Sequence, residues 1–355
     1  MSVVHFLVPD GIDNPRRPSG GNVYDRRISD GLGANGWSLY EHVVSGSWPR
    51  PDTAAYTALT NVLAGLADGA VVLLDGLIAS TAPNVLVTQA GRLRLVILLH
   101  MPLGDGPPPN DIRTVRACEC AVLRAASAVI VTSAWTKTWL CEHYALQPSR
   151  IRVAPPGVDS AERVTGTATG SKLICVGAVT PLKGHDVLLA ALRTVSDLSW
   201  SCTCVGSLEQ DPQFVGSMYR DAVAAGIDER IRYTGPLKET DLSIAYAHAD
   251  LLVLASRRES FGMVVTEALA RGLPVIATAV GGISQALGHG ADGEAPGLLV
   301  PPGAPNALGG ALRAWLQDTD LRLRLRRAAG ERRAMLSDWS VTVEQISRVL
   351  TEATA

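Results

Sequence analysis

The stretch Leu251–Leu287 constrains the fold of this chain more than any other. It opens with an unbroken apolar run, residues 251–255, of the kind found in parallel strands that are buried on both faces. A polar loop follows, and then a predicted short helix over Gly262–Arg271, which Gly272 is suited to end. A second apolar run, residues 274–279, completes a strand, helix, strand unit. The stretch therefore predicts a parallel sheet with covering helices.

Two carboxylates, Glu259 and Glu267, lie on either side of the start of this helix. The backbone N–H groups of Gly262, Met263 and Val264 are among those that have no partner within the helix, so they form an anion site suited to phosphate. Glu267 leans back toward the same place and can accept hydrogen bonds from hydroxyls. A nucleotide sugar has this layout of phosphate and flanking hydroxyls. The alternative is that both glutamates are solvated surface charges.

The residues Glu-Ser-Phe-Gly-Met-Val-Val-Thr-Glu, 259–267, resemble the signature of family 4 retaining glycosyltransferases of the GT-B fold. Gly-Leu-Pro-Val-Ile-Ala-Thr-Ala-Val-Gly-Gly, 272–282, resembles the same family. The resemblance implies an α/β protein with two Rossmann-like, doubly wound parallel-sheet domains that face a cleft. It implies an acceptor-binding domain over 1–158, to which a C-terminal helix at 339–355 crosses back, and a nucleotide-sugar-binding domain over 159–338.

Composition agrees with a globular α/β enzyme. The 355 residues are enough for two domains with separate cores. A formal net charge of −2 gives no reason to expect nucleic acid as a partner. The first residues lack the pattern of a signal peptide and no run is long enough for a membrane span, so a cytoplasmic protein is expected. Six cysteines include no C-x-x-C pair, and Cys202 and Cys204 are predicted to share one buried strand face.

Apolar runs and amphipathic segments alternate along the whole chain, which independently predicts parallel, doubly wound sheets. The first strand, Val3–Pro9, leads into Ser19-Gly20-Gly21 and a helix predicted over Asn22–Asn35. Glycines at this position let the backbone approach a ligand, or serve the geometry of the turn alone. The resemblance implies that Gly20 and Gly21 close over the donor diphosphate. It also implies that His100, at the end of a predicted strand, contacts the transferred hexose; the alternative is a surface histidine.

Lys183 follows a predicted strand, Lys172–Val179, in a Lys-Gly turn that is a feature of the resembled family. An ammonium there would offset phosphate charge. The family usually has an arginine where this chain has Ala178. Either Lys183 and the helix start suffice, or Arg257 or Arg258 replaces that arginine, or catalysis is weaker or altered.

The resemblance implies that Glu259, Lys183 and His100 are catalytic and that no metal ion is essential. Asp318-Thr319-Asp320 is interpreted as a helix cap. We expect a metal-independent retaining enzyme that moves a hexosyl group from a nucleotide-diphosphate sugar to a hydroxyl acceptor, which we expect to be a small molecule. Alternatives are a GT-B sugar phosphorylase or nucleotide-sugar epimerase, and a non-catalytic nucleotide-sugar-binding protein. The base, the sugar, the acceptor and the oligomeric state stay open.

Late in the chain, six arginines between residues 321 and 335 are predicted to form solvated helix faces, with contact to an anionic membrane as a further option: Arg322, Arg324, Arg326, Arg327, Arg332 and Arg333.

Overall fold

A computed structural model describes residues 2–106 and 112–354 and divides the chain into two compact units. The first unit comprises Met1–Asp13, Ser19–Gly157 and Trp339–Ala355. The second comprises Asn14–Pro18 and Val158–Asp338. Each unit is built on one six-stranded sheet in which every neighbouring pair of strands is parallel.

Strands and helices alternate in both units. The first unit contains β1 Ser2–Pro9, α1 Gly20–Leu32, β2 Trp37–Val44, α2 Thr53–Ala64, β3 Val71–Asp75, α3 Gly76–Ala79, α4 Pro83–Gln89, β4 Arg94–Leu99, α5 Ile112–Ala125, β5 Ala128–Val131, α6 Ala134–Tyr144 and β6 Ile151–Val153. The second contains β7 Lys172–Val176, α7 His185–Arg193, β8 Ser201–Val205, α8 Pro212–Ala224, β9 Ile231–Gly235, α9 Glu239–Ala247, β10 Leu251–Leu254, α10 Met263–Ala270, β11 Val275–Thr278, α11 Ile283–Leu287, β12 Gly297–Val300, α12 Pro305–Gln317 and α13 Thr319–Arg333. A last helix, α14 Trp339–Thr354, belongs to the first unit.

The strand orders are β2-β1-β3-β4-β5-β6 and β12-β11-β10-β7-β8-β9. In each sheet the order reverses beside the first strand of the unit, as in doubly wound folds. All four residues of β10 are buried, as the apolar run predicts for a strand covered on both faces. The α/β fold class with two doubly wound sheets is therefore confirmed.

Helix α14 packs against α1, which confirms the helix that returns to the first unit. Gly31 allows this close approach, since a Cβ there would lie 2.5 Å from Val343 Cγ2. The indole of Trp37 donates a hydrogen bond to Ser347 Oγ at 2.9 Å. The C-terminal segment is thus part of the core of the first unit.

Three of the predicted boundaries that differ from the structure lie near the candidate site residues. Helix α1 begins at Gly20 and not at Asn22, because Ser19 Oγ accepts a hydrogen bond from Asn22 N and caps the helix. Helix α10 begins after Gly262, whose φ of +91° is left-handed and not helical. Strand β4 ends at Leu99, so His100 is the first residue beyond it.

Several other predictions are confirmed. Gly272 ends α10 with φ +70° and donates its N–H to Leu269 O at 2.9 Å. Asp318 caps α13 by accepting a hydrogen bond from Leu321 N at 2.9 Å. Cys202 and Cys204 are buried, with their sulfur atoms 4.0 Å apart.

The prediction that the late arginines form solvated faces is wrong for Arg322, Arg326 and Arg332. Arg322 is buried and donates to Trp315 O at 2.9 Å. Arg326 pairs with the buried Asp250 at 3.2 Å, and Arg332 donates to Leu287 O at 3.1 Å. Their guanidinium groups fasten α13 to the rest of its unit. None of the helices in the described parts of the chain is long and apolar enough to cross a bilayer.

Candidate active site

In the second unit, the Lys183 ammonium and the Glu259 carboxylate form an ion pair beyond the carboxyl ends of the strands. Lys183 Nζ lies 2.5 Å from Glu259 Oε1, and Ser256 Oγ donates to the same oxygen at 2.9 Å. The Lys183 side chain is 30% exposed and that of Glu259 is 11% exposed. The pair is thus held by the protein on one side and open to solvent on the other.

Two glycines bring the loops that carry this pair together. Gly184 has φ +69°, and a Cβ there would lie 1.9 Å from Ala255 O, so only glycine lets the Lys-Gly turn approach the end of β10 so closely. Arg257 N donates to Leu182 O at 2.9 Å and joins the same two loops. Gly281 has φ +53°, and a Cβ there would lie 1.5 Å from Glu259 O. The backbone around Glu259 is therefore fixed from both sides.

Helix α10 starts at Met263, four residues after Glu259. Gly262 adopts φ +91°, and a Cβ would meet Ile283 Cδ1 at 2.4 Å. The first N–H bonded within this turn is that of Val265, which donates to Gly262 O at 2.9 Å. The N–H groups of Met263 and Val264 come before it and have no acceptor within the helix. These N–H groups are suited to an anion.

Glu267 is held in place by a buried tyrosine. The Tyr246 hydroxyl donates to Glu267 Oε2 at 2.9 Å, and the Arg271 guanidinium lies over the Tyr246 ring, 4.5 Å from its centre. Burial raises the pKa of Glu267, although the Tyr246 hydrogen bond and Arg271 oppose the shift. One carboxylate oxygen is thus oriented, and the other is left to accept hydrogen bonds from a ligand.

In the first unit, Gly20 and Gly21 form the first turn of α1, next to His100. A Cβ on Gly21 would lie 3.1 Å from His100 Cδ2, so the helix start packs directly on the imidazole. The ring of Tyr24 meets the same imidazole edge to face, with 5.2 Å between the ring centres. The structure therefore brings Gly20, Gly21 and His100 together at the carboxyl edge of the sheet.

His100 contacts two buried carboxylates. Its Nε2 lies 2.7 Å from Asp25 Oδ1 and 3.7 Å from Asp75 Oδ2. Burial raises the pKa of Asp25 to about 7 and that of Asp75 well above its ordinary value, and burial lowers the pKa of His100. Among the described residues this is the one group of three potential metal ligands within 4.8 Å of one another. We interpret it through its direct hydrogen bond and not as a metal centre.

A cavity of about 360 Å³ lies elsewhere in the second unit and is lined by residues that include Arg163, Asp250, Pro274 and Arg326. Asp250 and Pro274 precede β10 and β11, so this cavity is at the amino ends of the strands. Ligands of open parallel sheets bind at the opposite edge. We therefore place the candidate site at Lys183 and Glu259 and not in this cavity.

Sequence models of two protein families match the chain almost from end to end. The model of "Glycosyltransferase Family 4" matches residues 20–162, and that of "Glycosyl transferases group 1" matches residues 161–332. A D-inositol 3-phosphate glycosyltransferase 1 from Catenulispora acidiphila is 31% identical over 302 residues, which cover 79% of this chain and 69% of that protein. The chain belongs to glycosyltransferase family 4.

Other family 4 relatives are matched over a smaller share of their length. A D-inositol 3-phosphate glycosyltransferase from Corynebacterium efficiens is 32% identical over 270 residues, 70% of this chain. The chain spans only 62% of the length of that relative.

Solved structures show the same GT-B fold. Sucrose-phosphate synthase from Thermosynechococcus elongatus superposes with a TM-score of 0.79 at 20% identity, and 99% of each chain is covered. HepE of Anabaena, in complex with UDP-glucose, superposes with a TM-score of 0.76 at 19% identity over 99% of this chain and 100% of that chain.

The structure shows what Arg257 contacts, and so whether it can replace the family 4 arginine that is missing at Ala178. Arg257, one suggested replacement for the missing arginine, uses both terminal nitrogens elsewhere: Nη1 and Nη2 contact the two Asp186 oxygens at 2.8 and 2.6 Å. Arg257 Nη1 also donates to Pro181 O at 2.6 Å. The Arg257 guanidinium is therefore committed to Asp186, and Lys183 is the cation that contacts Glu259.

Reasoning from the family 4 signature did not find four side chains that shape these sites. Ser256 and Tyr246 hold the two glutamates, and Asp25 and Asp75 contact His100. Asp75 ends an otherwise apolar strand, and Asp25 stands three residues before the buried Ile28 on α1. An acidic residue on an apolar face was the available signal for both. Ser256 and Tyr246 carried no comparable signal.

Proposed function

We propose that the chain transfers a hexosyl group from a nucleotide-diphosphate sugar to a hydroxyl acceptor, with retention at the anomeric carbon. The observation that carries the proposal is the Lys183–Glu259 ion pair beside the N–H groups that begin α10. Membership of family 4 supports it, as does the UDP-glucose bound to HepE. The chain spans 62% of the length of its first relatives, so we infer its activity from its own site and do not assign it the activity of those relatives.

The chemistry follows from where charge develops. As the bond between the sugar and the phosphate oxygen breaks, negative charge grows on the β-phosphate. The Lys183 ammonium and the N–H groups of Met263 and Val264 would stabilise that charge. Glu267 would accept hydrogen bonds from ribose hydroxyls, with one oxygen already held by Tyr246. Glu259 and His100 would orient the hexose. The acceptor attacks from the side of the departing phosphate, and a phosphate oxygen takes its proton.

The ion pair gives this mechanism a specific requirement. Lys183 Nζ lies 2.5 Å from Glu259 Oε1, and Ser256 Oγ donates a hydrogen bond to the same oxygen. An ammonium has three donors, so Lys183 can keep Glu259 and add a phosphate oxygen. Glu259 would thus have two roles: it orients the Lys183 ammonium toward the phosphate, and it contacts the sugar. We propose that no metal ion is needed, since the protein supplies the positive charge.

For the acceptor we propose a small hydroxyl compound, and a phosphorylated cyclitol is the first to test. Several relatives are named as D-inositol 3-phosphate glycosyltransferases. Arg16 and Arg17 lie in an exposed loop whose backbone is turned by Asn14, which accepts hydrogen bonds from both their N–H groups. Two guanidinium groups are suited to an acceptor phosphate.

The test has two stages. Thermal shift with UDP, GDP and ADP and their hexoses identifies the donor, because a ligand at 100 times its Kd stabilises by about 2.7 kcal/mol. The donor is then incubated with inositol phosphates, with and without EDTA, and the product is analysed by NMR for its anomeric configuration. Retention and EDTA resistance are expected. An inverted product, or donor binding with neither transfer nor hydrolysis over hours relative to Glu259→Ala, would contradict the proposal.

A further inference from the structure

Two carboxylates next to His100 are enclosed by the first unit. Asp25 is 0% exposed and Asp75 is 1% exposed, and both lie at the carboxyl edge of the sheet. Burying two carboxylates together in a medium of low dielectric constant is costly unless one of them holds a proton or both meet cations. Their arrangement therefore requires an explanation.

If both carboxyl groups are ionised, at least one of their buried oxygens has no hydrogen-bond donor. Asp75 Oδ1 accepts from Leu77 N at 2.5 Å, and Asp25 Oδ1 contacts His100 Nε2 at 2.7 Å. Asp25 Oδ2 is buried and has no hydrogen-bond partner. A proton on Asp75 would supply a donor close to Asp25, because Asp25, Asp75 and His100 each offer an atom that lies within 4.8 Å of the others.

The directions of the pKa shifts agree with that assignment. Burial and the neighbouring Asp25 raise the pKa of Asp75 well above its ordinary value, which favours the proton on Asp75. Burial raises the pKa of Asp25 to about 7, and burial lowers the pKa of His100. A neutral imidazole beside an ionised Asp25 carries its hydrogen on Nε2 and donates it to Asp25.

We propose that Asp25 and Asp75 are positioning residues that share one proton, fix His100 as the Nε2–H tautomer and present its Nδ1 as a hydrogen-bond acceptor to a substrate hydroxyl. The substrate part rests on the proposed function; the tautomer does not. Gly21 and Tyr24 pack on the imidazole and restrict its rotation, so the hydrogen bond at Nε2 also determines where Nδ1 points.

The assignment predicts a change near neutral pH. Below about pH 7, Asp25 binds a proton, so that the two carboxyl groups together hold two protons. Asp25 then donates its hydrogen bond to His100 Nε2, and the hydrogen of the imidazole lies on Nδ1. The other titratable groups that act on Asp25 are Arg26, which opposes this protonation, and Glu41, which favours it. The Tyr24 hydroxyl is occupied, since it donates to Ala154 O at 2.9 Å. Turnover should therefore rise with pH through about 7.

The direct test is the ¹⁵N NMR signature of the His100 ring in the full chain without ligand. The sequence has 7 histidines, and His100→Gln assigns the signal. The Nε2–H tautomer is expected at pH 8, and Nδ1–H is expected to appear near pH 6. An Nδ1–H tautomer or a charged imidazolium at pH 8 overturns the proposal. So does a spectrum that changes with added Zn²⁺ and recovers with EDTA, because a cation and not a proton would then join the carboxylates.

Two variants connect the tautomer to activity. Asp25→Leu removes the acceptor and should lower kcat/KM up to about 100-fold, while nucleoside diphosphate affinity stays unchanged. Asp25→Asn offers an amide oxygen to Nε2–H and an amide N–H to Asp75, so it should keep most of the activity and lose the pH step near 7. A wild-type pH step in Asp25→Asn overturns the proposal. If no donor is ever turned over, the proposed function fails while the NMR result still decides the tautomer.

Discussion

The two units place charged side chains at the same edge of similar sheets, but they neutralise the charge in different ways. In the second unit, Lys183 and Glu259 have opposite charges and pair directly at 2.5 Å. In the first unit, Asp25 and Asp75 have like charges, are buried, and have a neutral His100 as their neighbour. An ion pair needs no titration in order to form, whereas two buried carboxylates need a proton. The difference suggests that pH acts on the first site and much less on the second.

The glycines in the two units differ in a similar way. Gly184 has a left-handed φ of +69°, in which any other residue would be strained. A Cβ added there would also collide with the backbone oxygen of Ala255. Gly21 lies in a regular helix, where the nearest atom to an added Cβ belongs to the side chain of His100. The Lys-Gly turn is thus fixed by backbone geometry, and the Gly-Gly turn is fixed only through a side chain.

Removing the cation of the second unit should have the largest effect. Lys183→Ala should cost about 3 to 4 kcal/mol of transition-state stabilisation, on the scale of one lost oxyanion donor. The measurement is kcat with the donor identified by thermal shift. Lys238→Ala, an exposed lysine of the same unit, is the matched control and should be unaffected. An unimpaired Lys183→Ala enzyme would show that the ion pair is structural only.

The glycine contrast should appear in stability. Gly184→Ala should lower the free energy of unfolding by about 2 to 4 kcal/mol, because it adds both a strained φ and a clash with backbone. Gly21→Ala should change the same quantity by less than about 1 kcal/mol, since the His100 side chain can shift slightly. Urea unfolding of both variants measures the difference. Equal effects would show that the two turns are constrained alike.

Stability should also depend on pH through Asp25. Its pKa is about 7 in the folded chain, against an ordinary value of about 3.8. Between these values the folded state holds a proton that the unfolded state has released, so stability falls as pH rises from about 5 to 7. Asp25 alone should contribute a slope of about 1.4 kcal/mol per pH unit, and a proton held by Asp75 over the same range adds to it.

This slope can be measured by urea unfolding at several pH values. Asp25→Asn should lose the share of the slope that comes from Asp25, whereas Asp30→Asn, an exposed position on the same helix, should keep the full slope. Parallel curves for wild type and Asp25→Asn would argue that Asp25 is ionised throughout this range.

The smallest effect is expected at Arg257. Its pairing with Asp186 is 38% exposed on both sides, so Arg257→Ala should cost less than about 1 kcal/mol of stability. Nucleoside diphosphate affinity, measured by calorimetry, should stay within about twofold. Arg313→Ala removes a comparable pair with Asp197 and serves as the control. A tenfold loss of affinity in Arg257→Ala alone would indicate that Arg257 does replace the arginine missing at Ala178.

Much of the fold was predictable because parallel strands covered on both faces read as apolar runs. The apolar pattern predicts strands over Trp37–Val44 and Ile231–Gly235, which are the bounds of β2 and β9, and the other strands differ from their predicted bounds at one end or both. Helices α6, α8 and α9 were not predicted; in α6 and α9 the apolar residues do not gather on one face of the helix. The composition of segment 161–170, polar and rich in threonine and glycine, predicts a flexible connection, but Thr167 donates hydrogen bonds from its N–H and its hydroxyl to the buried Asp250.

The sequence by itself determined the fold class, the family and the residues of the Lys183 and Glu259 motifs, because apolar periodicity and motif spacing are local properties of the chain. Only the tertiary structure decided that Lys183 pairs with Glu259, that Arg257 turns to Asp186, and that Asp25 and Asp75 enclose His100. Such contacts join residues that are 25 to 76 positions apart. Their strength depends on burial and on the distance between charges, and neither quantity exists until the strands are ordered into sheets.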